Sequence, residues 1–217
     1  VFDLDGTIAD TAPDIAQALN AALHENGLGQ LSHDDIVGMI GGGIPTLVER
    51  ALTKLSEPMD VKDVLVTGML DSYAGNYCDK TVLLPGVADC LLGVQARGLP
   101  MAVCTNKEQN LARKIVTALG LDDYFVTVVG RHPDLAKKPD PAMLLHAIIA
   151  IGCNAEEVMM IGDSDVDAQT AAAANCVSVI AQNGYYGGDY TALGADFLVP
   201  DMTPVLGIID QLNAVPS

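Results

Sequence analysis

Two aspartates near the start of the chain, Asp3 and Asp5, follow an apolar segment and precede Gly6 and Thr7. Side chains at positions i and i+2 of a strand lie on the same side, so both carboxylates can face one pocket. Asp163, after a later apolar segment, adds a third acid. Carboxylates held close together need a cation or a proton between them. Oxygen ligands without His or Cys favour a hard ion, so the pattern predicts a Mg²⁺ site beside a phosphate group.

Two further segments have the residue types that bind an anion. Thr105 and Asn106 lie at a predicted strand-to-helix junction, where a hydroxyl and free backbone N–H groups can bind a phosphate. Lys138 precedes a Pro-Asp-Pro turn that would hold its ammonium group stiffly before a helix, whereas Lys137 is predicted to be an exposed surface residue. Asp167, four positions after the third acid, is a further candidate.

Each of these segments also has an ordinary structural interpretation. Asp, Gly and Thr after a strand are typical of a turn, and Thr105 or Asp165 could simply cap a helix. The run from 163 to 167 resembles the start of a calcium loop. That interpretation fails because Ala168 and Ala174 stand where a calcium loop needs Gly and Glu.

A glycine run, Gly41, Gly42 and Gly43, precedes a predicted helix with Pro45 in its first turn. Two interpretations stay open. Backbone N–H groups of these glycines could contact a substrate carboxylate, or the run could be a plain loop between helices.

The predicted elements bring the polar segments to one edge of a sheet. Apolar strands are predicted at 1–4, 99–104, 125–129, 158–161, 177–181 and 197–199, with helices at about 107–119, 141–151, 168–174 and 204–212. Apolar strands separated by helices favour a parallel sheet covered on both faces. Ligands of such sheets bind beyond the carboxyl ends of the strands. The fold class is therefore α/β, with a doubly wound parallel sheet.

Residues 12–80 have a different pattern, because apolar residues recur there at helical spacing. This stretch is predicted to be a small all-helical cap domain of three to four helices, inserted after the first strand. The predicted core domain then consists of residues 1–11 and 81–217.

The composition limits the possible partners. With 28 acidic and 11 basic residues the formal charge is −17, which disfavours nucleic acid and anionic membrane surfaces. Five widely spaced cysteines predict neither a disulfide framework nor a zinc site. No apolar run is long enough to span a bilayer. We expect a cytoplasmic protein with a small-molecule partner, as a monomer or a homodimer.

Four ordered segments resemble the motifs of the haloacid dehalogenase superfamily: Asp3-Leu-Asp-Gly-Thr7, Thr105-Asn106, Lys138-Pro-Asp-Pro141 and Gly162-Asp-Ser-x-x-Asp167. The resemblance covers essentially the whole chain. The helical insert is similar to the small cap of the phosphoglycolate phosphatase branch, as are the segments Gly41–Leu52 and Asn183–Gly187.

The resemblance implies a role for each motif residue. Asp3 would attack phosphorus and form an aspartyl-phosphate, and Asp5 would protonate the leaving alkoxide and then activate water. Mg²⁺ would be held by the side chains of Asp3 and Asp163 and by the backbone carbonyl of Asp5. The phosphoryl oxygens would be bound by Thr105, Asn106 and Lys138, with supporting roles for Thr7, Ser164 and Asp167.

The expected function is Mg²⁺-dependent hydrolysis of a small phosphate ester, with 2-phosphoglycolate as the first choice. One alternative is a phosphomutase of the beta-phosphoglucomutase type, which shares the motifs. Others are phosphatases for pyrophosphate, a sugar phosphate or N-acetylmuramic acid 6-phosphate. A dehalogenase is disfavoured because its reaction does not need Asp5, and a silent binding module is disfavoured because no motif residue is missing.

Overall fold

The computed structural model describes residues 1–214, which form a parallel sheet with helices on both faces and a helical insert. The strands are β1 (Ala9–Asp10), β2 (Val82–Leu83), β3 (Ala102–Glu108), β4 (Thr127–Arg131), β5 (Met159–Gly162), β6 (Val177–Ala181) and β7 (Phe197–Val199). The α-helices are α1 (Ala12–Glu25), α2 (His33–Val37), α3 (Ile44–Leu55), α4 (Lys62–Gly75), α5 (Val87–Ala96), α6 (Gln109–Ala118), α7 (Ala142–Ile151), α8 (Asp165–Ala174) and α9 (Val205–Asn213).

The start of the chain lies in the middle of the parallel sheet. Strands β3 and β4 pair on one side of it, and β5, β6 and β7 pair in that order on the other. Phe2 joins the two halves, because it forms parallel bridges to both Val103 and Ile161. The carboxyl ends of this first segment, β3 and β5 therefore meet at one edge, as the sequence predicts for a doubly wound sheet.

Side chains of the strands alternate between two buried clusters, one on each face of the sheet. Ala102 and Cys104 belong to the cluster beside α7, whereas Val103 belongs to the larger cluster on the other face. Because both faces are covered, the strands are apolar throughout and do not alternate with polar residues.

Helices α1 to α4 all lie between β1 and β2, which pair antiparallel where the chain enters and leaves this insert. The buried carboxylate of Asp14, in α1, links the beginning of the insert to its end. It accepts hydrogen bonds from the backbone N–H groups of Lys80 and Thr81. The division into a core of 1–11 and 81–217 and a cap of 12–80 stays a prediction. None of the helices within residues 1–214 has the length and apolar character needed to cross a membrane.

In the structure, several strands and helices begin or end at residues other than those predicted from the sequence. The strand predicted at 99–104 runs from Ala102 to Glu108, and the next helix begins at Gln109. Thr105 and Asn106 therefore lie within the end of a strand, not at the junction that the sequence pattern indicated. They lie in an irregular stretch of β3 between Cys104 and Glu108, the two flanking positions at which β3 pairs with β4.

The strand predicted at 125–129 likewise lies two residues later, at Thr127–Arg131. Helix α8 begins at Asp165, three residues before its predicted start, and Ser164 is its N-cap. The expectation that Asp165 could cap this helix is therefore wrong. The β1–β2 pair was not predicted, because strands of two residues leave no periodicity in a sequence.

Candidate active site

Three buried carboxylates meet at the carboxyl edge of the sheet. Oxygen atoms of Asp3, Asp163 and Asp167 lie within 4.8 Å of one another. Burial raises the pKa of Asp3 to about 6, against the attraction of Lys138. Burial, followed by the charges of Asp167 and Asp3, raises the pKa of Asp163 well above its usual value. Ionising Asp3 and Asp163 is therefore costly unless a cation lies nearby.

Lys138 places one such cation inside the acidic cluster. Its Nζ lies 2.6 Å from Asp167 Oδ1 and 3.1 Å from Asp3 Oδ1, and its side chain is only 1% exposed. Burial opposes the charged form, but the attraction of Asp167 and Asp3 together raises the pKa of Lys138. Three ionised carboxylates around a single ammonium leave an excess of negative charge. An all-oxygen donor set with this excess fits a hard divalent cation such as Mg²⁺.

Asp167 is fixed by the start of α8 as well as by Lys138. Its Oδ2 accepts hydrogen bonds from Ser164 Oγ at 2.6 Å and from the backbone N–H groups of Ser164 and Asp163 at 3.2 and 3.3 Å. Gly162 is needed just before this turn, because a Cβ there would lie 2.2 Å from Asp167 Cγ. The helix cap and the site therefore share one carboxylate.

Asp163 is oriented by two segments that are distant in the sequence. Thr7 donates its hydroxyl to Oδ1 at 3.0 Å, and the backbone N–H of Tyr185 donates to Oδ2 at 2.7 Å. A Cβ on Gly184 would lie 2.2 Å from Asp163 Cβ, so this loop approaches the acid as closely as only glycine allows. The resemblance singled out the segment 183–187, and the structure brings it against the acidic cluster.

Asp5 has partners other than the acidic cluster. Its Oδ1 accepts hydrogen bonds from Lys107 Nζ at 2.8 Å and from Thr11 Oγ1 at 2.6 Å. Burial opposes the charged form of Lys107, but the attraction of Asp5 outweighs it and raises the pKa of Lys107. Sequence reasoning did not assign Lys107 a role. The available signal was its position directly after Thr105 and Asn106.

Asn106 contacts both the core and the insert. Its Nδ2 donates to the backbone carbonyls of Gly41 and Lys138, each at 3.1 Å. Its buried Oδ1 has no hydrogen-bond partner within residues 1–214. In this arrangement the amide oxygen, and not the NH₂ group, is the part available to a ligand.

The glycine run begins α3 with Gly43 as the N-cap, as predicted. It also lies against the core. The carbonyl of Gly42 accepts a hydrogen bond from Lys137 Nζ at 3.3 Å, and a Cβ on Gly43 would lie 3.0 Å from the carbonyl oxygen of Asn106. Gly43 has a φ of +81°, which also favours glycine at this position.

A cavity lies between the sheet edge and the insert, and six of the twelve predicted site residues line it. The core contributes Asp3, Asp5, Thr105, Asn106, Lys107, Glu108 and Arg131. The insert contributes mainly apolar side chains, together with Gly41, Gly43 and Tyr73. The structure thus brings the first two motifs and the glycine run to one cavity, while Lys138, Asp163 and Asp167 lie beside Asp3.

The model of the family described as haloacid dehalogenase-like hydrolase matches residues 1–181 of the chain. The chain belongs to this family. The fold and the family resemblance predicted from the sequence are both confirmed.

Named relatives of the chain within the haloacid dehalogenase-like hydrolases include phosphoglycolate phosphatases from two bacteria. The protein from Caulobacter vibrioides is 36% identical over 219 residues, which cover 100% of this chain and 92% of the relative. The protein from Chromobacterium violaceum is 37% identical over 201 residues, which cover 91% of this chain and 90% of the relative. The crystal structure of a predicted phosphoglycolate phosphatase from Haemophilus somnus matches with a TM-score of 0.87 and 30% identity, covering 95% of both chains.

Proposed function

We propose that this hydrolase is a Mg²⁺-dependent phosphatase that hydrolyses 2-phosphoglycolate through a covalent intermediate on Asp3. The comparisons show the enzyme class, since relatives that align with 91% and 100% of the chain are named phosphatases. The metal, the intermediate and the substrate are our proposals. The observation that carries the mechanism is the position of Asp3, which is buried beside Lys138 and two further acids and lines the cavity between the sheet edge and the insert.

Asp3 has one oxygen free to act as the nucleophile. Its Oδ1 accepts a hydrogen bond from the backbone N–H of Leu4 at 2.7 Å and faces Lys138 at 3.1 Å. Among residues 1–214, no hydrogen-bond donor contacts Oδ2. We infer that Oδ2 attacks phosphorus as the bond to the leaving alkoxide breaks, which gives an aspartyl-phosphate. Lys138 offsets the negative charge of the transferring group.

Asp5 is placed to act first as the general acid and then as the general base. In the first step it donates a proton to the leaving oxygen, and in the second it takes a proton from the water that attacks the aspartyl-phosphate. Its hydrogen bonds from Lys107 and Thr11 fix its orientation toward the cavity. The insert covers this cavity and can exclude bulk water during the first step.

The proposed metal fits the acidic cluster. Asp3 and Asp163 would contribute side-chain oxygens, and the backbone carbonyl of Asp5 lies on the same turn. Bound Mg²⁺ would neutralise charge on the phosphoryl group. Asp167, whose oxygens are used by Lys138 and by the cap of α8, would support the site.

The choice of 2-phosphoglycolate is supported by the names of the relatives and by the cavity itself. The two named relatives align with nine-tenths or more of this chain, including the insert. Positively charged Lys107 and Arg131 both line the cavity, which suits a substrate with a second anionic group.

The experiment is a panel of phosphate esters assayed for phosphate release with and without Mg²⁺. Asp3→Asn should lower kcat by at least about a thousandfold, while Asp210→Asn, in an exposed ion pair with Arg97, should leave it unchanged. Full turnover by Asp3→Asn would refute the mechanism. Conversion of a sugar phosphate into its isomer with little phosphate release would instead identify a phosphomutase.

A further inference from the structure

The buried hydroxyl of Tyr73 has no hydrogen-bond acceptor among residues 1–214, since the ammonium of Lys107 beside it can only donate. Tyr73 lies in α4 of the insert, is 1% exposed and lines the cavity. Burial raises its pKa to about 12, so the hydroxyl stays protonated and can donate. Buried polar groups almost always have a partner, because leaving one unpaired is costly. An acceptor on a ligand in the cavity would complete the hydrogen bonding of this hydroxyl.

The surroundings of Tyr73 show what kind of ligand this would be. The other insert residues that line the cavity are aliphatic or glycine, including Ile44, Leu47 and Leu70. Among these lining residues of the insert, Tyr73 alone has a polar group on its side chain. The ammonium of Lys107 lies 4.9 Å from the centre of the Tyr73 ring. An O–H donor beside a buried cation is suited to an anionic acceptor.

Along the cavity, the phosphate-binding residues, Asp5, and then Lys107 with Tyr73 follow one another. A short phosphate ester has its phosphoryl group, its ester oxygen and a terminal carboxylate in the same order. Asp3 and Lys138 mark the position of the phosphoryl group, and Asp5 must lie next to the leaving oxygen. Lys107 is 2.8 Å from Asp5, on the side where the Tyr73 ring lies. The part of the leaving group beyond its ester oxygen therefore extends toward Lys107 and Tyr73.

We infer that the Tyr73 hydroxyl, together with the Lys107 ammonium, binds a carboxylate on the leaving group and so determines substrate specificity. This inference rests on the proposed function, since it assigns the second anionic group of the substrate to named residues. Tyr73 is the cleaner residue to test, because Lys107 also holds Asp5.

The test compares two esters in the Tyr73→Phe variant, which keeps the ring and its contact with Lys107 and removes only the hydroxyl. The esters are 2-phosphoglycolate and ethyl phosphate, which has a methyl group in place of the carboxylate. The ratio of their kcat/KM values should fall at least about tenfold, the usual effect of one hydrogen bond to a charged group. The melting temperature should stay the same or rise, because an unpaired buried hydroxyl is removed.

Tyr77→Phe is the matched control. Tyr77 lies just after α4, is half-buried and lies outside the cavity, with Lys114 over its ring. Its variant should keep the wild-type ratio.

The outcomes separate this inference from the proposed function. If the wild-type enzyme prefers 2-phosphoglycolate and Tyr73→Phe keeps that preference, the inference is wrong and the proposed function stands. Equal losses on both esters together with a lower melting temperature would show a structural role, which also overturns the inference. A wild-type enzyme with no preference for 2-phosphoglycolate would overturn both.

Discussion

Replacing Lys138 with Met removes the charge from the centre of the acidic cluster while keeping a side chain of similar length. Its ammonium contacts Asp167 and Asp3 and is almost completely buried. An unbranched apolar side chain can fill much of the same space. The variant therefore leaves three buried carboxylates facing one another with no cation from the protein.

The expected loss of stability follows from the burial. Removing one partner of a buried ion pair costs about 3–5 kcal/mol, because the remaining charge is left buried without compensation. Lys138 compensates two carboxylates, so we expect about 5 kcal/mol at pH 7.5 without Mg²⁺. A domain of this kind has a free energy of unfolding of only about 5–15 kcal/mol, so the effect should be easy to measure.

The loss should become smaller as the pH falls. Burial already raises the pKa of Asp3 and Asp163 above the values of the unfolded chain. Removal of Lys138 takes away the attraction that lowers the pKa of Asp3, so this pKa rises further. A carboxyl group with a raised pKa in the folded state binds more protons when folded, so lowering the pH stabilises the fold. The destabilisation should therefore be smaller at pH 5 than at pH 7.5.

Urea unfolding followed by circular dichroism measures both effects. Lys137→Met is the matched control: Lys137 is the neighbouring residue and is exposed, with contacts of 3.2 and 3.3 Å to Thr46 and Gly42. Lys137→Met should lower the free energy of unfolding by less than about 1 kcal/mol. Equal stability of the two variants at pH 7.5, or a larger loss for Lys138→Met at pH 5, would refute the reasoning.

Two further predictions concern the acidic cluster. Gly184→Ala places a Cβ 2.2 Å from Asp163 Cβ and 2.5 Å from the carbonyl oxygen of Gly6, so it should lower the melting temperature and weaken Mg²⁺ binding in isothermal titration. Gly187→Ala, with nothing within 4 Å of the new Cβ, should change neither, and equal behaviour of the two variants would contradict the steric argument. Mg²⁺ should raise the melting temperature more at pH 7.5 than at pH 5.5, because protons compete for a carboxyl group such as Asp3 with a pKa of about 6. A thermal shift independent of pH would show that the ion binds elsewhere.

The parallel sheet and its ligand-binding edge could be predicted because both depend on local patterns. Each buried strand is a short apolar run, and the polar residues at its carboxyl end are its immediate neighbours in the sequence. This is why Asp3, Asp163 and Lys138, which are far apart in the chain, could be assigned to one site before the structure was known. The brief β1–β2 pair has no such pattern, because its stability comes from contacts between residues about seventy positions apart.

Contacts between the insert and the core are the part that sequence patterns do not encode. Tyr73 fits the helical periodicity of α4 as one more buried apolar residue, and its position over Lys107 depends on how the insert packs. Lys107 likewise has the sequence signature of an ordinary lysine at the end of a strand. Its role becomes visible only when Asp5 is found 2.8 Å away.

Asn106 shows the limit of a motif most directly. The motif gives the residue type, and the resemblance predicts that Asn106 binds phosphoryl oxygens, which requires N–H donors. In the structure both hydrogen bonds from Nδ2 go to the carbonyls of Gly41 and Lys138. For its side-chain amide to bind the phosphate, Asn106 must give up at least one of these two hydrogen bonds. Gly41 belongs to the insert, so exchanging the bond to Gly41 would alter a contact between insert and core. This consequence depends on tertiary packing and is absent from the motif itself.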